Sequence, residues 1–180
     1  MLYPRVLRDV LLRAAERDLY TPYWSATILD ELRRNLLKGG RFTAERLEYL
    51  VSEMTRAFPS AAVTGYDTLT TCMTNQEKDR HVLAAAVRAR AEVIVTFNLK
   101  DFSEAALSPY GVTAKHPDDF LLDLTSVSGR VMASVIRGQL ADIIASESMA
   151  TMDMLFESLT RHAPQFVDTI RAMLDAQANQ

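Results

Sequence analysis

Apolar residues return every third or fourth position through the first sixty residues, the spacing that gives a helix one buried side. In RVLRDVLLRAAERDLY, Val6, Val10, Leu11 and Ala14 predict an amphipathic helix over about 4–19. TPYW interrupts it, and SATILDELRRNLLKGG resumes the period with Ile28, Leu29, Leu32 and Leu36. Ser25 suits the N-cap of this second helix and Gly39–Gly40 its stop. A third helix is predicted over about 43–58, with Thr43 as its cap and Leu47, Leu50, Val51 and Met54 turned inward.

The pattern then shortens. SAAVTGY is β-leaning, and TLTTCM reads as a loop or short helix. A helix over about 77–91 leads into a continuous apolar strand over about 92–98, AEVIVTFN. A helical turn near 103–107, a second strand candidate in GVTAKH and a closing helix in PDDFLLDL follow. Helices alternating with short, non-alternating apolar strands predict an α/β fold with a parallel sheet covered on both faces. From about residue 125 the strands stop: VSGRVMASVIRGQLADIIA, MATMDMLFESL and APQFVDTIRAMLDAQ all read as helix. The expected organisation is an α/β domain over 1–123 and an all-helical extension over 124–180.

Composition narrows the chemistry by exclusion. At 180 residues and 48% hydrophobic, the chain can bury a substantial core. Its one cysteine, Cys72, cannot make an internal disulfide or a metal site alone, and is expected to be a small buried hydrophobe in a reducing compartment. No apolar run approaches the roughly 18 residues of a membrane span, and the N-terminal charges come too early for a secretory segment. The cytoplasm is the expected compartment. A net charge of −3 argues against tight duplex binding. It does not argue against a nuclease, whose metal pocket is itself acidic. The histidines are scattered, with His81 expected on the side of its helix away from the core, and neither a glycine-rich phosphate loop nor a Gly-x-Ser-x-Gly turn occurs.

The polar residues that remain are out of place in an informative way. Asp79 shares a helical stripe with Val82, Leu83, Ala86 and Val87, the side that heads into the core. It can be read as a first-turn carboxylate stabilised by the helix dipole, or as a buried charge that something compensates. Asn98 ends the apolar strand in Thr96-Phe97-Asn98, where it can be read as a simple turn asparagine or as a polar group at the carboxyl end of a strand, the edge at which open parallel sheets bind ligands. Glu31 borders the apolar stripe of the second helix, whereas Asp30 points further outward. Asp101 follows Asn98 by three positions.

In that order these residues resemble the PIN-domain ribonucleases, and in particular the VapC-type toxins of bacterial toxin–antitoxin pairs. The matching segments are SATILDELRRNL, NQEKDRHVLAAAVRARAEVIVTFNLKDF and HPDDFL, and the likeness covers residues 1 to about 123. The resemblance implies a PIN-like parallel sheet flanked by helices, and an acidic pocket that binds Mg²⁺ or Mn²⁺ and cuts RNA. It places Glu31, Asp79 and Asn98 as catalytic metal ligands, with Asp101 as an accessory ligand. A cognate antitoxin and a homodimer are implied as partners. Hard divalent ions select oxygen ligands, so carboxylates and an amide carbonyl suit such a site. Arg33, Arg34, Lys78, Arg80 and Lys100 stand nearby as candidates for holding RNA phosphates.

One departure from the family pattern is large. PIN domains open with an apolar strand whose terminal aspartate is the central metal ligand, and it normally precedes a segment like LYPRVLRDVLL. Here that segment follows Met1 directly, and Asp9 lies inside the first helix. The expectation is a chain lacking that first strand, with Met1 standing where a valine codon was taken as a start. Weak metal binding and little turnover would follow. A non-catalytic PIN-like module that pairs with itself or an antitoxin is the alternative.

Overall fold

The computed structural model describes residues 4–40, 42–146 and 149–178; Met1, on which the start expectation rests, lies outside them. The chain divides into two compact units, Thr21–Lys115 and a discontinuous one made of Met1–Tyr20 with His116–Gln180.

The Thr21–Lys115 unit carries every described strand. Its elements run β1 (Trp24–Ser25), α2 (Ala26–Lys38), α3 (Ala44–Ala57), β2 (Ala62–Val63), α4 (Asp67–Thr70), α5 (Arg80–Ala89), β3 (Val93–Val95), α6 (Glu104–Leu107) and β4 (Thr113–Lys115), counting α1 from the other unit. Helix boundaries fall where capping chemistry puts them. The Ser25 side chain accepts from the Ile28 amide at the start of α2, and the Thr43 side chain accepts from the Arg46 amide at the start of α3. Gly40, at φ +67°, supplies the left-handed residue that ends α2. At the end of α5 that conformation falls on Arg90, at φ 56°.

The strands are parallel, as expected, but short, and they form two separate pairs. In one, β1 lies beside β2 (Trp24 opposite Ala62); in the other, β3 lies beside β4 (Val93 opposite Thr113, Val95 opposite Lys115). TPYW, read from the sequence as a break, thus contributes a strand. Its period is too short to register as alternation, and Trp24 is buried edge-on against Phe58 at 5.9 Å. The core is built from Val63, Tyr66, Leu83, Ala84, Ala85, Ala86, Ile94, Phe102, Leu107 and Val112. The buried stripe of α5 is therefore centred on Leu83–Ala86, with Val82 and Val87 at its edges. Cys72 is exposed, against expectation, because it sits on the turn after α4.

The second unit is helical. It contains α1 (Arg5–Glu16), α7 (Pro117–Ser146), α8 (Met152–Thr160) and α9 (Pro164–Ala178). Ser128 has non-helical backbone (φ −153°, ψ 77°), so α7 is two helical arms joined by a kink, at a Ser-Gly step that tolerates one. The inward face of α1 is Leu7, Val10, Leu11 and Ala14, all fully buried, with Leu7 taking the place expected of Val6. Met132, Ile136, Leu159, Phe166 and Ile170 complete this core. The C-terminal helices are thus the expected extension, and α1 packs with them on α7 and α8. That grouping crosses the 1–123 and 124–180 division drawn along the sequence.

Candidate functional site

The candidate side chains come from four places in the Thr21–Lys115 unit. Glu31 lies in the second turn of α2. Lys78 and Asp79 lie in a 3₁₀ turn, Glu77–Asp79, that runs directly into α5. Asn98 follows β3, and Asp101 closes a second 3₁₀ turn, Leu99–Asp101. The Gln76 amide donates to the Asp101 carbonyl at 3.4 Å, and the Arg80 guanidinium donates to the Asn75 carbonyl at 3.4 Å. One short stretch before α5 therefore holds both acidic turns against each other.

Asp79 occupies the N-cap position of α5 yet its side chain caps nothing. The plain capping reading fails on that point. Its carboxylate is 21% exposed, and Oδ2 is buried without a hydrogen-bond partner. Burial pushes its pKa up from the usual carboxylate range; the Lys78 ammonium opposes this, while contact with Asp101 and the charges of Asp101 and Glu31 add to it.

Asp101 is the opposite case. Its Oδ2 accepts from the Lys78 ammonium at 2.6 Å and from the Asn98 side-chain amide. The hydrogen bond from Lys78 is the main reason its pKa is held below the ordinary value. The same ammonium is 3.7 Å from Asp79 Oδ2, and its own pKa is raised, chiefly by the bond to Asp101. The Asn98 amide spends its nitrogen on Asp101, which leaves its oxygen as the atom able to meet a cation.

Glu31 reaches the group through a residue that the sequence placed elsewhere. His81 is one residue into α5, only 14% exposed, with Nε2 3.5 Å from Glu31 Oε2. A histidine on the flank of the Leu83–Ala86 stripe reads as solvent-facing by helical period alone. Its proximity to α2 is a tertiary fact with no local signal.

The basic candidates differ in how they are engaged. Arg33 is bound to Glu48 of α3 (2.9 Å) and to Asp30 (2.8 Å). Arg34 donates to the Asp30 carbonyl at 3.4 Å. Lys100 is exposed on the turn between Asn98 and Asp101.

The structure thus brings Asp79, Asn98 and Asp101 together around Lys78, with Glu31 against His81, two residues on from Asp79. The donors are oxygens, the chemistry a hard divalent ion selects. The buried, unpartnered Asp79 Oδ2 is an atom such an ion would satisfy. As placed, no three His, Cys, Asp or Glu side chains among the described residues converge into a ready-made metal cluster. The donor set fits a divalent ion in kind, while one ammonium takes up part of its charge.

The PIN domain family matches residues 3–100. The chain is 42% identical over 141 residues to the Mycobacterium tuberculosis (strain ATCC 25618 / H37Rv) protein named "Putative ribonuclease VapC50", across 76% of this chain and 82% of that one. No solved structure matches the chain. No helix among the described residues is long and apolar enough to cross a membrane.

Proposed function

The chain belongs to the PIN-domain family, and from that premise we propose that it is an endoribonuclease of the VapC toxin type, dependent on Mg²⁺ or Mn²⁺. The observation that carries the reading is Asp79. A carboxylate at the head of α5 that caps nothing, keeps one buried oxygen without a hydrogen bond and lies near two other carboxylates concentrates negative charge in the fold. Structural aspartates at helix starts are satisfied by amides; this one has only the Lys78 ammonium, at 3.7 Å, facing that oxygen.

Glu31, Asp79 and Asn98 are the proposed catalytic ligands, and Asp101 is the accessory one. A divalent ion held by these oxygens would supply an acidified water and charge neutralisation at the scissile phosphate. The protein's own part is to fix the oxygens. The Asn98–Asp101 bond sets one acidic turn, and the Gln76 amide ties it to the turn that carries Asp79. Arg34, Arg80 and Lys100, with Lys78 and the paired Arg33, are proposed to hold the RNA backbone near the site. A cognate antitoxin, a homodimer and a cytoplasmic setting complete the proposal. With these four donors, metal binding by residues 1–180 is expected to be weak and turnover slow.

The test is cleavage of a single-stranded RNA by the purified 180-residue chain, with Mn²⁺, with Mg²⁺ and with chelator. Slow cleavage that needs the ion and disappears in Asp79→Asn is the expected result. Cleavage that persists in chelator or in Asp79→Asn would remove the nuclease assignment from this site. Metal binding without any cleavage would leave the non-catalytic PIN-like module as the better description.

A further inference from the structure

Lys78 makes an unusual pair of contacts for a side chain that is 67% exposed. Its ammonium is 2.6 Å from Asp101 Oδ2 and 3.7 Å from Asp79 Oδ2. These are the two carboxylates of the proposed metal pocket, approached from the residue immediately before one of them. An exposed lysine has four rotatable carbons and a large entropy to lose by being pinned. Its placement sets one positive charge between two carboxylates.

We infer that Lys78 is an internal stand-in for the divalent ion, docked between Asp79 and Asp101 while the pocket is empty and displaced when metal enters. This rests on the metal-dependent reading of the site and adds to it a competitor and an order of events. Asp101 Oδ2 already accepts from Lys78 and Asn98, so it cannot take a cation in the same place as the ammonium. A divalent ion a few ångströms from a fixed ammonium would be strongly repelled. The lysine must therefore swing out, which its exposed stem permits. Once released, the ammonium remains tethered at the edge of the pocket, within reach of a phosphate attracted by the ion. Metal loading precedes, and prepares, the contact between Lys78 and a phosphodiester.

The experiment is Mn²⁺ titration of the full chain by calorimetry and by loss of the free-ion paramagnetic signal, for the parent, Lys78→Met and Lys100→Met. Lys100 lies on the Asp101 turn and is exposed, so its variant reports the loss of one nearby charge without the loss of a docked competitor. The expected result is that Lys78→Met binds Mn²⁺ roughly tenfold more tightly than the parent, with Lys100→Met within about twofold. A second readout is independent of affinity. The chain has four lysines, Lys38, Lys78, Lys100 and Lys115, so ¹³C reductive methylation yields a spectrum in which Lys78 is identified by its absence from Lys78→Arg. Its signal is expected to move on adding Mg²⁺ at constant pH, while that of Lys38 stays in place. If the parent binds Mn²⁺ but Lys78→Met binds no better than Lys100→Met, or the Lys78 signal is unmoved by saturating metal, the exchange is overturned and the metal site stands. If neither the parent nor Lys78→Met binds Mn²⁺, the metal-dependent reading falls and the exchange falls with it.

Discussion

At the scale of single residues, the role proposed for Asp79 runs against stability. Its pKa is raised in the fold, mainly by burial. The native state therefore holds that proton more tightly than the unfolded chain, and the stability it contributes is lost as pH rises through the raised value. At neutral pH without metal, the ionised group is a net cost. Asp79→Asn is expected to melt a few degrees higher than the parent at pH 7 in chelator, with the difference shrinking as pH falls through the carboxylate range. With Mn²⁺ the order reverses, because binding to the native state stabilises only the chain that binds. Scanning calorimetry at two pH values, with and without metal, checks both signs. Glu31, Asp79, Asn98 and Asp101 were picked out as candidates by their order along the chain, and of these Asp79, Asn98 and Asp101 are linked by direct contacts in the fold. The contact of His81 with Glu31 and the docking of Lys78 were not legible, since one depends on α5 meeting α2 and the other on two turns meeting, and neither leaves a mark on local period.

Elements carry two further expectations. Arg90 ends α5 in the left-handed region, at φ 56°, ψ 36°, where its amide donates to the Ala86 and Val87 carbonyls. A side chain in that conformation costs about 1 kcal/mol relative to glycine. Arg90→Gly is expected to raise stability by roughly 0.5–1 kcal/mol, read as a shift in urea midpoint at constant slope. In the helical unit, Asp118 at the start of α7 is 3% exposed and caps α9 from outside. Its Oδ1 accepts from the Phe166 amide at 2.8 Å, and its Oδ2 from the Gln165 amide at 3.1 Å. Asp118→Ala leaves those amides unpaired and is expected to cost about 2–3 kcal/mol, with Asp118→Asn losing less. Denaturant unfolding of the two variants side by side tests the ranking. Ser25 and Thr43 announced their helices because a cap lies next to what it caps. Asp118 did not, because its partners lie 47 and 48 positions away. Nor did β1, two residues long with one parallel neighbour, have room to display a strand's alternation.

At the scale of the molecule, the two compact units are interleaved along the chain. The strands, the site and the core around Leu83 all belong to Thr21–Lys115. The first helix belongs with the last three. A fragment of residues 1–123 therefore keeps every candidate ligand yet strips α1 of most of its cover. Leu7, Val10 and Leu11, wholly buried in the full chain, would face water, at roughly 1.5–3 kcal/mol for each large side chain. Such a fragment is expected to bind a hydrophobic dye strongly and to unfold with a shallow transition, whereas the full chain does neither; dye fluorescence and urea denaturation provide the comparison. That the C-terminal segment is all helix could be read from where strand signals stop, although the units divide at Lys115/His116 rather than at 123/124. The allegiance of α1 could not, since an amphipathic face states that it needs a partner and not which one.

The same interleaving sets a timetable for biosynthesis. The Gln139 side chain bonds to the Val6 carbonyl across 133 positions, so at about 5–20 residues per second a ribosome needs roughly 7–27 s to make the far half of that contact after the near half has emerged. Through that interval the oily side of the first helix is a natural target for chaperones, and the strand-bearing unit, Thr21–Lys115, can fold before the helical one is finished.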